Sequence, residues 1–77
     1  DLYKIIMKKM EQYLIDLMKK DNSNKIYNWD YCIKAMNLNQ KEYMQFLGEL
    51  KHFTILERKY KSLNGKIYSY FEFKEKS

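Results

Sequence analysis

An α+β domain, three helices closed by a β-hairpin, is the fold class that three observations predict. Apolar residues recur at three- and four-residue steps from Tyr3 to Leu17. A polar turn, Asn37-Leu38-Asn39, separates two further helical stretches. An Asn64-Gly65 pair then divides two strand-like runs, as a two-residue hairpin turn does. The expected order within a single domain, residues 1–77, is α1 (2–20), β1 (25–27), α2 (28–36), α3 (39–52), β2 (53–60) and β3 (66–73).

In the first helix Tyr3, Ile6, Met10, Leu14 and Leu17 form the stripe, widened by Ile5, Met7, Tyr13 and Met18. Lys4, Lys8, Lys9, Glu11, Asp16 and Lys19 fall largely off it and read as a solvated face. The excess apolar width offers a seat for a second copy or for the rest of a parent protein; a generous core is the simpler account. Asp21-Asn22-Ser23-Asn24 is a polar turn, and Lys25-Ile26-Tyr27 a short strand beside the hairpin. Asn28 is placed to cap the second helix, on which Tyr31 or Cys32, Ala35 and Met36 are expected inward and Trp29 at the edge of the core.

Asn39 caps the third helix, and Glu42 three residues on completes a capping-box pattern. Tyr43, Leu47 and Leu50 then point inward, leaving Gln40, Lys41, Met44, Gln45, Phe46, Gly48 and His52 outside. With two residues in the turn, the strand register follows. Leu56 faces Phe73, Arg58 faces Phe71 and Tyr60 faces Ser69 on a mostly apolar inner side. Lys59 with Tyr70 and Lys61 with Tyr68 fall on the outer side, beside an unfavourable Glu57–Glu72 pair.

A chain of 77 residues is one small domain, and at 45% hydrophobic and 17% aromatic it can build a core without staples. Cys32 is alone, which excludes an intrachain disulfide and fits a small buried hydrophobe. No secretory leader pattern and no apolar run of about 20 residues is present, so no membrane contact and an intracellular location are expected, in cytoplasm, nucleoid or nucleus. The chain starts at Asp1 rather than Met, in keeping with a domain cut from a longer parent. The net charge of +5 invites nucleic acid as a partner, although fourteen of the fifteen basic residues are lysine, which an AT-rich coding sequence also produces.

From Asn28 to Phe73 the pattern resembles the winged helix-turn-helix superfamily. The residues that carry it are Met36-Asn37-Leu38, Asn39-Gln40, Leu47 and Leu50, Ile55-Leu56-Glu57-Arg58 and Asn64-Gly65-Lys66. Thr54 stands where many relatives have Gly at the junction of third helix and strand. The resemblance implies a DNA-binding domain of a transcriptional regulator or of a replication or mobile-element protein, with the third helix in the major groove and the hairpin as a wing. On this chain the contacts fall to Asn39, Gln40, Lys41 and Gln45 of the helix and to Arg58, Lys59, Lys61, Lys66 and Tyr68 of the wing. Gln45 suits adenine, Lys41 guanine or phosphate, and the helix start a phosphate. Residues 39–52 carry no net charge, whereas the wing, residues 57–74, carries +3 interleaved with tyrosines. A winged helix used as a protein-interaction module is the rival reading, motivated by that neutral helix with Met44 and Phe46 outward.

Catalysis has little support. One His, one Cys and no Gly-rich phosphate loop or metal-ligand spacing are present, so no enzyme activity, cofactor or metal is expected. His52, at the end of the third helix, reads as a solvated cation near the helix dipole.

Overall fold

The structure, a computed structural model, describes residues 2–75. Its elements run α1 (Leu2–Lys20), β1 (Lys25–Ile26), α2 (Trp29–Lys34), α3 (Gln40–Gly48), a 3-10 turn (Leu50–His52), β2 (Leu56–Leu63) and β3 (Lys66–Phe73). The strands form one antiparallel sheet in the order β1-β3-β2, so β3 is central. Three helices and this sheet make the chain α+β, as its sequence pattern implies.

Local chemistry sets the ends of these elements. Lys19 and Lys20 in the last turn of α1 complement the helix dipole. The helix closes in a Schellman arrangement: Asn22 takes a left-handed φ of 52°, the Ser23 amide donates to the Met18 carbonyl at 2.9 Å, and the Asn22 amide to that of Lys19 at 3.1 Å. Asn37, at φ 62°, reverses the chain after α2. The predicted capping box opens α3: the Asn39 side chain accepts from the Glu42 amide at 2.8 Å, and Glu42 accepts from the Asn39 amide at 3.1 Å. Asn64 (φ 52°) and Gly65 (φ 77°) are both left-handed, as a type I′ turn demands. The expected register follows pair for pair, from Leu56 opposite Phe73 to Leu63 opposite Lys66.

The interior departs from the helical patterns read off the sequence. The buried face of α1 is Met7, Met10, Glu11, Leu14, Ile15 and Met18, rotated from the expected stripe, and Tyr3 and Ile6 are exposed. On α2 the anchors are Trp29 and Ile33, while Tyr31, Ala35 and Met36 are exposed and Cys32 is half-buried. Six residues are too few for periodicity to determine a phase, and the ring contacts decide it: Trp29 meets Phe71 edge-on with centroids 5.0 Å apart. Asn28 stands at the cap of α2 but its side chain makes no capping hydrogen bond. Phe46, expected outside, is 3% exposed and packs against Phe53 and Trp29. Tyr43, Leu47 and Leu50 are half-buried around it.

Glu11 is the one buried charged side chain among the described residues, at 2% exposure. Its carboxyl oxygens accept from three successive backbone amides, Thr54 at 3.3 Å, Ile55 at 2.8 Å and Leu56 at 2.7 Å. Its expected place on the solvated face is thereby corrected. A buried carboxyl is tolerated where hydrogen bonds replace water, and here it clamps the middle of α1 to the start of β2. β2 begins at Leu56 rather than at residue 53, directly after the amides of Thr54 and Ile55 that serve Glu11. The α-helical part of α3 likewise stops at Gly48, a poor helix former, and the chain tightens into the 3-10 turn before reaching Phe53.

Candidate nucleic-acid interface

The nine residues expected to contact DNA meet three different fates. Gln40 and Lys41 are exposed in the first turn of α3, with Met44 and Gly48 exposed further along. A β-carbon added at Gly48 would meet nothing within 4 Å, so the helix surface there is open. Asn39 is exposed as well, but its side-chain oxygen is engaged by the capping box. Gln45 is exposed yet not free: its amide donates to the Tyr3 hydroxyl of α1. His52 Nε2 lies 2.9 Å from Glu49.

At the base of the hairpin the expected contacts are tied to the protein itself. Lys59 Nζ sits 2.7 Å from Glu72, 3.3 Å from Glu57 and 3.6 Å from Glu75. The hydrogen bond to Glu72, seconded by Glu57, holds the ammonium well above the ordinary lysine range. The reciprocal bond holds the Glu72 carboxyl below its usual value. Lys25 of β1 adds a weaker contact to Glu72 at 3.8 Å and lies over the Tyr70 ring. The like-charged Glu57–Glu72 pair, which looked like a flaw in the register, is therefore bridged by the lysine beside it. Lys59, one of the expected phosphate contacts, thus has carboxylate partners within the protein.

Arg58 is half-buried on the opposite face. Its guanidinium carbon is 5.1 Å from the ring centroid of Trp29 and 5.1 Å from that of Tyr60. Nη2 donates a long 3.4 Å hydrogen bond to the Ser69 hydroxyl, and the buried Nε has no hydrogen-bond partner among the described residues. Behind it Trp29 stacks on Tyr43 at an interplanar angle of 12°, and Lys34 Nζ lies over the outer ring. This row of two cations and three rings joins α2, α3 and the hairpin. The strand alternation placed Arg58 beside Phe71, but no local signal brought Trp29 or Tyr43 to it.

The distal hairpin differs from its base. Residues 60–68 are all exposed, and they include Lys61, Lys66 and Tyr68 with no acidic residue. Neither lysine makes an ion pair among the described residues. Lys61 faces Tyr68 across the ladder and Lys66 faces Leu63.

No family model, curated protein or solved structure matches the chain. Among the described residues no helix is long and apolar enough to cross a membrane.

Proposed function

We propose that this chain is a winged-helix domain that binds nucleic acid, double-stranded DNA in particular, within a transcriptional regulator or a replication or mobile-element protein. The observation that carries the reading is the distal hairpin, exposed on both faces, with Lys61 and Lys66 in no ion pair among the described residues. Phosphate contacts by lysines of this kind supply affinity without sequence information. Gln40 and Lys41, exposed at the start of α3, add limited base reading. Relative to the expectation from sequence, Lys59 and Gln45 already have partners, which leaves these groups and Tyr68 as the open surface, with Arg58 half-buried beside it. The domain carries out no catalysis in this reading.

A titration of a labelled duplex of about 20 bp at several salt concentrations tests it. Affinity should fall steeply with salt, and replacing Lys61 and Lys66 together by Ala should lower the log–log slope by about 2. Lys59→Ala should leave the slope unchanged, because that ammonium is already neutralised. Binding that is absent, or indifferent to salt, would sink the proposal.

One observation favours a second reading, a docking module inside a larger assembly. A cleft between α1 and α3 is lined mainly by apolar residues, Tyr3, Ile6, Met10, Leu38 and Phe46 among them, together with Glu42, Gln45 and Glu49. Leu2, Ile5 and Met44 are exposed on the same two helices. Apolar surface of this kind is what a protein partner covers, and this reading predicts no steep salt dependence toward DNA.

A further inference from the structure

We propose that the inner face of the hairpin holds a subsite for one unpaired nucleotide, its phosphate on the Arg58 guanidinium and its base on the Tyr60 ring. This deepens the nucleic-acid reading and rests on it. The argument starts from what Arg58 leaves unused. A guanidinium has five N–H donors in a planar fork; that of Nε is buried, and among the described residues only one of the other four is engaged, by Nη2 at 3.4 Å. The rings of Trp29 and Tyr60 each lie 5.1 Å from the guanidinium carbon, so the Nη donors at its end are those left to act. A planar fork is suited to bidentate recognition of a phosphate.

Tyr60 supplies the second half. It is 62% exposed although one side of its ring is against Arg58, so the exposure comes from the other side and the ring edge. Its cross-strand partner is Ser69, too small to cover it. Base–aromatic stacking needs a free π-face on both partners. Inside a duplex both faces of a base are covered by its neighbours, and a terminal pair keeps its base and phosphate fixed in the helix, so an unpaired nucleotide is the one that can offer both a free face and a movable phosphate. Phosphate donors and a ring shelf on one face of β2, two residues apart, therefore select a strand end, a bulge or an opened duplex.

The test compares three labelled DNA probes of common sequence: a blunt duplex, the same duplex with a short thymidine overhang, and a thymidine single strand. The wild-type domain should bind the overhang more tightly than the blunt duplex. Tyr60→Ala should weaken overhang and single-strand binding by about 5- to 150-fold while leaving blunt-duplex binding unchanged. Tyr60→Phe should bind like wild type, and Arg58→Lys should lose the overhang preference. Trp29, the single tryptophan and a ring neighbour of Arg58, should change its emission on binding the overhang in wild type and not in Tyr60→Ala. Thymidine monophosphate, which has the same phosphate and base but no strand, should displace the overhang probe only at far higher concentration than an unlabelled overhang duplex does; displacement at equal concentration would make the site one for free nucleotides and overturn the proposal. No overhang preference in wild type, or equal losses by Tyr60→Ala on blunt and overhang probes, would also overturn it while leaving duplex binding intact. Failure of wild type to bind any of the three would remove the nucleic-acid reading itself.

Discussion

The two halves of the hairpin are written in the same alphabet of lysines and aromatics, yet they behave differently. At the base, Lys59 is held by three carboxylates, Arg58 lies between two rings and Phe71 is fully buried. Toward the tip, Lys61 and Lys66 have no acidic neighbour in an ion pair among the described residues, and Tyr60, Leu63, Ile67 and Tyr68 are open to solvent. A basic strand is thus not one surface. Where helix and sheet supply carboxylates and rings, the cations serve the fold; where the ribbon leaves the body, they remain available to a partner.

The sharpest break of this comparison is a matched pair of truncations across it. Phe71→Ala, at the centre of the aromatic core, should cost about 3–5 kcal/mol in urea unfolding, a large share of a small domain's stability. Ile67→Ala, on the same strand but 75% exposed, should stay within about 0.5 kcal/mol. Similar losses at both positions would mean that the tip is not the free surface described.

Next in size is the anchor of the base. Glu11→Ala leaves the amides of Thr54, Ile55 and Leu56 without their acceptor and should cost about 2–4 kcal/mol. Amide hydrogen exchange should speed up at those three positions before it does in residues 60–68. A cost near zero would show that the clamp is dispensable and that water replaces it.

The smallest effect concerns pH. Glu72 has its pKa lowered in the folded state, chiefly by the hydrogen bond from Lys59. Its contribution is therefore present above the ordinary value of 4.5 and fades as pH falls through the lowered one. Lys59 is raised, so its share persists below 10.5 and disappears only as pH rises through the raised value. Glu57 and Glu75 face the same ammonium, and Lys25 faces Glu72, so neither group titrates alone. The thermal-stability gap between wild type and Glu72→Gln should be flat across neutral pH and narrow on the acid side. A gap that widens in acid would contradict the pairing.

Much of the chain was legible from local chemistry. The Asn64-Gly65 turn has only two central residues, and that number alone dictates every pair from Leu63–Lys66 to Leu56–Phe73. The Asn39–Glu42 box is a contact between neighbours in sequence and needs no tertiary support. The span of α1 follows from its periodicity and from the lysines and Asn22 that end it. Of the site, the exposure of Gln40, Lys41, Lys61, Lys66 and Tyr68 was readable, because each lies on a polar face or beyond the core.

What the sequence determined by itself was the order of the elements, their turns and the hairpin register, since those depend on backbone preferences over a few residues. Only the tertiary structure decided which side of α1 is buried, why Phe46 and Trp29 are interior, and which cations are already engaged. Each of those outcomes depends on a partner distant in sequence: Glu11 on amides more than forty positions away, Gln45 on Tyr3, Lys59 on Glu72. A charge or a ring carries no mark of its eventual neighbour until the chain has folded back upon it.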